Sequence, residues 1–190
     1  MKKIIMLGSH GTGKSVLSES LLKKLVEEFP NQKTVMFDGF ADETRKRGHS
    51  LNIFESQVQA IKAQLVLLRI YLNAIKTSDA DVAIIPDNIG RQLIYSTYNS
   101  MAEEFIDLLK DFFKEEVKNS VVIYIPIEFA LPWDRHPHQS FHRQIDELTL
   151  EILQDNQISY LEVKGTVEER TELAMEVLRE FCKPEVSTST

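Results

Sequence analysis

The chain has 190 residues, enough for one sizeable hydrophobic core and too few for two. Hydrophobic residues make up 43% and charged residues 27%, which excludes the composition of a disordered chain. A formal charge of -7, from 22 basic and 29 acidic residues, argues against the broad basic footprint of a non-specific duplex binder, although a local basic site stays open.

The first element is an apolar run at 3–7 that Gly8 interrupts. It is too short for the core of a signal peptide and reads as a strand. A helix is predicted over 16–29 from the spacing of Val16, Leu17, Leu21, Leu22, Leu25 and Val26, and a second strand over 34–37. After a segment around Gly48 expected to be mobile, 53–75 reads as one long helix without Gly or Pro. The run 82–85, closed by Pro86, is a buried strand of the kind parallel sheets use. Next come a helix over 101–113, a strand over 121–125, a helix over 141–153, a strand over 160–163 and a last helix over 167–181. Strands alternating with helices predict an α/β fold, a parallel sheet covered on both faces that binds ligands outside the carboxyl ends of its strands. We expect one domain over 1–182 and a flexible tail over 183–190. No window is expected to approach the ~20 apolar residues of a membrane span. The lone Cys182 has no intrachain partner and no zinc-ligand spacing, so the expected compartment is the cytoplasm.

Between the first strand and the first helix stands Gly8-Ser9-His10-Gly11-Thr12-Gly13-Lys14-Ser15, followed by Val16. It fits the P-loop pattern in the context that the pattern requires. Its glycines let successive N–H groups point at phosphate oxygens, and the helix N-terminus adds its positive end. Lys14 is expected to reach the β- and γ-phosphates and the Ser15 hydroxyl to ligate magnesium. Asp87 closes the strand at 82–85 and is a second candidate for magnesium, unless it only caps the next helix.

Residues 134–143 form a basic, Pro-containing segment in an acidic chain. Arg135 and Arg143 suit a lid that closes over a triphosphate, with a solvated loop as the alternative. His136, His138 and His142 lack the further ligand that zinc needs. The run Asp42-Glu43-Thr44-Arg45-Lys46-Arg47 follows the second strand, where a carboxylate is placed to act on an acceptor hydroxyl and Arg45 to hold an acceptor phosphate. A solvated face is the other reading.

Together these motifs resemble, over nearly the whole chain, the small P-loop kinases and ATPases grouped around the nicotinamide riboside kinase domain of NAD-biosynthesis regulators. That group is also abundant in bacteriophages. More distantly the chain is similar to deoxynucleoside and thymidylate kinases. The resemblance rests on the P-loop, on Asp42-Glu43-Thr44-Arg45, on the glutamines Gln57, Gln59 and Gln64, on Asp87 and on the 134–143 segment. It implies a P-loop NTPase fold with sheet order 2-3-1-4-5, and an adenine base near Gly165 and Thr166. In this group an arginine follows the strand-ending Asp, and a second Asp comes three positions later. Here Asn88 and Arg91 occupy those places, which bears on acceptor recognition.

The expected activity is phosphoryl transfer from ATP, with Mg2+, to a small nucleoside- or nucleotide-like acceptor. Lys14, Asp42, Arg135 and Arg143 are the catalytic candidates. Asp42, Glu43, Arg45 and Arg91 face the acceptor, with Glu43 the substitute base if the register shifts by one. A kinase of hydroxymethylated pyrimidine in phage DNA, acting in host cytoplasm, and a nucleotide-dependent switch are the other readings. No membrane partner is expected, and the protein is expected to be a monomer or homodimer.

Overall fold

The computed structural model describes residues 1–49, 56–128 and 139–183. Arg135, His136, His138 and the expected tail beyond Lys183 lie outside the described residues, as does the start of the helix expected from 53. The elements in chain order are β1 (Lys2–Leu7), α1 (Lys14–Glu28), β2 (Thr34–Met36), α2 (Phe40–Lys46), α3 (Gln57–Thr77), β3 (Val82–Ile85), α4 (Ile89–Tyr98), α5 (Glu103–Val117), β4 (Ser120–Tyr124), α6 (Gln139–Asp155), β5 (Leu161–Glu162) and α7 (Val167–Phe181).

The five strands form one sheet in the order β2-β3-β1-β4-β5, and every pairing is parallel. This is the P-loop NTPase arrangement, with β1 at the centre. Alternation along the strands divides the core into two layers. Ile4 and Met6 of β1, Val82 and Ile84 of β3 and Ile123 of β4 face α1 and α7, where Leu17, Leu21, Leu25, Ala174, Met175 and Leu178 cover them. Ile5 and Leu7, Ala83 and Ile85, and Val122 and Tyr124 face the opposite layer, built from α2 to α6. The central strands are buried on both sides, which is why they read as unbroken apolar runs.

β1 and β3 are neighbours in register, Ile5 opposite Ile85. The turns that leave them, at Gly8 and Pro86, therefore open side by side at the same edge of the sheet. The first turn of α4 packs hard against this edge, because a Cβ on Gly90 would stand 2.5 and 2.7 Å from the Phe113 ring and 3.1 Å from Leu7 Cδ2. Only glycine permits that approach.

One expectation needs correction. Among the described residues α3 does have the length and apolar composition of a membrane span. Ala60, Ala63, Leu68 and Tyr71 form a buried stripe on it, and Lys62, Arg69 and Lys76 interrupt its sequence. The stripe packs into the core of the layer opposite α1.

Candidate functional site

The loop after β1 is shaped by three glycines with positive φ, 139° at Gly8, 73° at Gly11 and 94° at Gly13. L side chains rarely adopt such values. At Gly8 a side chain would also collide with the Ile125 carbonyl at the end of β4. α1 then starts at Lys14, and no side chain caps its first amides and no acid stands in its first turn. α7 is the contrast: Thr166 and Glu169 form a capping box, and Glu168 and Glu169 lie in its first turn. The positive end of α1 is thus left for a ligand, while that of α7 is satisfied by its own chain.

Lys14 folds back over the loop, its Nζ donating to the Gly8 carbonyl at 2.7 Å and the Ser9 carbonyl at 2.5 Å. Burial pushes its ammonium down to about 7; Arg91 adds to that shift, while Asp87 and Asp146 oppose it. These charged groups therefore surround one point. The Ser9 carbonyl also accepts from Thr12 Oγ1 at 3.0 Å, and its hydroxyl is hydrogen-bonded to His142 Nδ1 at 2.8 Å. Both Ser9 and His142 are buried. Ser15 and Val16, on the first turn of α1, are exposed.

Asp87 leaves β3 with 8% of its surface exposed and takes a hydrogen bond from Arg91 Nη1 at 3.0 Å. The alternative of a plain helix cap falls to its neighbour. Asn88 Oδ1 accepts from Arg91 N–H at 2.9 Å, and Asn88 Nδ2 donates to the Met6 carbonyl at 2.8 Å and the Ile85 carbonyl at 3.0 Å. Asn88 is therefore a buried pin between β1, β3 and α4. Arg91, one turn along, pairs with Asp87.

α6 brings Phe141, His142 and Asp146 to the same mouth. The rings of His10 and Tyr95 lie 5.2 Å apart, and Phe141 is 6.2 Å from Tyr95 and 4.8 Å from Tyr98. Arg91 lies over the Tyr95 ring at 5.7 Å. The loop, α4 and α6 thus meet through aromatic contacts. Burial pushes the Asp146 carboxyl up, against hydrogen bonds from Tyr124 and the Ile127 N–H. Arg143, next to His142, is exposed.

On the other flank Arg170 of α7, 5% exposed, donates to the Thr12 carbonyl at 2.6 Å and forms an ion pair with Glu128. Glu128 in turn accepts from the Gly165 N–H at 2.9 and 3.0 Å. Gly165 and Thr166 are thereby tied to the loop, with the Thr166 hydroxyl committed to capping α7 at 3.2 Å from the Glu169 N–H.

On α2, Glu43 pairs with Arg47 at 3.1 Å and is half-buried, while Thr44 is buried and donates to the Phe40 carbonyl. Asp42 and Arg45 lie on the backbone of this helix, and their side chains are outside the described set. Sequence reasoning weighed His142 only as a zinc ligand and missed its contact with Ser9, and it gave no role to Glu128, Arg170 or the pinning by Asn88. Arg170 had a signal, as the one cation in the turn that opens the last helix.

No curated protein matches the chain significantly. Among solved structures, NadR protein in complex with NAD and AMP-PNP aligns with 100% of this chain at 14% identity and a TM-score of 0.59. The chain spans 51% of that protein's length. Thymidylate kinase from Ehrlichia chaffeensis aligns with 94% of the chain and 98% of its own, at 14% identity and a TM-score of 0.69. Deoxyadenosine kinase from M. mycoides, solved with dCMP and dCDP, aligns over the same shares at 19% identity and a TM-score of 0.62. These neighbours come from the groups that the motifs resemble, and at such identities they share the fold. The AAA domain family profile matches residues 3–170, from β1 into the first turn of α7, and the chain belongs to that family.

Proposed function

We propose that the chain, acting as one unit over 1–182, is an ATP- and magnesium-dependent phosphotransferase. Its acceptor is a nucleoside, a nucleotide or a related riboside. The observation that carries this reading is the loop of three positive-φ glycines between β1 and an uncapped α1, with Lys14 beside the Asp87–Arg91 pair.

The loop amides and the first turn of α1 receive the phosphate charge. Lys14, already bonded to two carbonyls of its own loop, exchanges them for the stronger charge-assisted contacts of β- and γ-phosphate oxygens. Ser15 and Asp87 offer the hard oxygen donors that suit magnesium, which when bound would offset charge developing on the transferred group. Gly165 and Thr166 lie on the side of the base. Arg143, and Arg135 from outside the described residues, serve the charge on the transferred group.

Glu43 already pairs with Arg47, so we assign the acceptor to Asp42. It takes the proton of the acceptor hydroxyl as that oxygen bonds to the γ-phosphorus, and the bridging bond breaks to release ADP. Arg91 and Arg45 hold the acceptor. AMP-PNP in NadR and the nucleotides in deoxyadenosine kinase support a nucleotide on this fold.

The test is a screen of nucleosides, mononucleotides and oligonucleotides for stimulation of ATP consumption, with the phosphorylated product identified by mass. Stimulation by a small riboside is expected. Stimulation by oligonucleotides alone would favour a polymer acceptor, and binding with no stimulation would favour a nucleotide-dependent switch.

A further inference from the structure

Glu116, near the end of α5, is 5% exposed although it is a carboxylate. Its Oε2 accepts from the Ile89 N–H at 3.1 Å, and its Oε1 takes the Tyr71 hydroxyl of α3. A buried carboxylate costs several kcal/mol in desolvation unless donors surround it. An apolar side chain would pack there without that cost, and the cap of α4 is already supplied by Asn88. What Glu116 adds is a charged hold on the first backbone amide of α4 from 27 residues away.

That turn is the one that carries the site. Asp87 stands two residues before Ile89, and Arg91 two after it. Asn88 fixes the turn to β1 and β3, and Gly90 lets it close on Phe113 and Leu7. Neither of these contacts is a hydrogen bond to α5, whereas Glu116 bonds the turn to that helix and, through Tyr71, to α3. We propose that Glu116 is a positioning residue: by holding the Ile89 amide it sets the Asp87–Arg91 pair in the geometry that metal and acceptor require. The metal part of this proposal rests on the function proposed above; the hold on the turn does not.

The variant is Glu116→Gln, which keeps the shape and can still face both Tyr71 and Ile89, its amide N–H on the hydroxyl and its oxygen on the N–H, but has lost the charge of the hold. Tyr71→Phe is the control, since it deletes the hydroxyl and leaves the Ile89 contact. Measured at pH 8, Glu116→Gln should raise the magnesium concentration for half-maximal turnover by ~10-fold and speed amide exchange at Ile89 and Gly90 by a similar ~10-fold, as expected for a weakened charge-assisted bond behind a metal ligand. ATP affinity without metal should stay within ~2-fold of the parent, because the loop amides are untouched. Tyr71→Phe should lose stability and keep the parental magnesium curve.

Parental exchange at Ile89 in Glu116→Gln overturns the proposal. So does faster exchange with an unchanged magnesium curve, or a Tyr71→Phe curve shifted as far as that of Glu116→Gln. A parent with no magnesium-dependent turnover contradicts the proposed function instead. The exchange comparison then still decides whether Glu116 holds the turn, since it needs no substrate.

Discussion

Asp87 keeps a carboxylate at the carboxyl end of β3, beside Arg91 and within electrostatic reach of Lys14. An amide at this place retains the size and loses the charge. Asp87→Asn should therefore lower magnesium-dependent turnover by at least ~10-fold while leaving nucleotide affinity without metal close to the parent. Magnesium titrations of the two proteins check this, and superimposable curves would show that Asp87 does not hold the metal. At this scale the P-loop was legible because backbone geometry forces residue types at fixed spacing: Gly8, Gly11 and Gly13 carry φ values that other residues avoid. Asn88 was not. Its three hydrogen bonds run to Met6, Ile85 and Arg91, and the partner on β1 is 82 positions away. His142 escaped for the same reason, since its contact with Ser9 spans 133 positions.

Among the elements, apolar periodicity located helices well and their ends poorly. α1 begins at Lys14 and not at 16, because Lys14 and Ser15, the last two residues of the glycine-rich pattern, are not apolar. α5 runs on to Val117, past the expected 113, since Glu116 reads as a surface residue in sequence and is buried in the fold. α4 was visible only as the helix that Asp87 was a candidate to cap. β5 shrinks to Leu161–Glu162 as an edge strand paired on one side only.

The buried Glu116 that lengthens α5 also sets a pH dependence. Burial pushes its carboxyl up to about 7, against the Tyr71 hydroxyl, the Lys3 charge and the Ile89 and Gly90 amides. The unfolded chain releases this proton near the ordinary value of 4.5, so from about 4.5 to 7 the folded state holds an extra proton. Stability from this group is complete below that window and falls as pH rises through it. The Tm difference between the parent and Glu116→Gln should accordingly shift against the parent between about pH 5 and 8. A pH-independent difference would show that Glu116 titrates as it does in the unfolded chain.

For the molecule as a whole, the order β2-β3-β1-β4-β5 places the turns after β1 and β3 side by side, and α1 and α7 close one face while α2 to α6 close the other. The sequence carried this architecture in the unbroken apolar strands at β1, β3 and β4, whose burial on both faces leaves no room for polar alternation. It did not carry the hydrogen bonds that join α6 and α7 to the loop through His142 and Arg170, because those contacts exist only after the sheet has formed. The central claim is that this assembly binds a nucleoside triphosphate at the Gly8–Ser15 loop. Calorimetric titration of the parent and of Lys14→Ala with ATP and magnesium tests it directly, with circular dichroism to confirm that both are folded. The account predicts saturable binding by the parent and a loss of at least ~10-fold in the variant, the size of one strong charge-assisted contact. Equal affinity in the two folded proteins, or no binding by the parent, would contradict it.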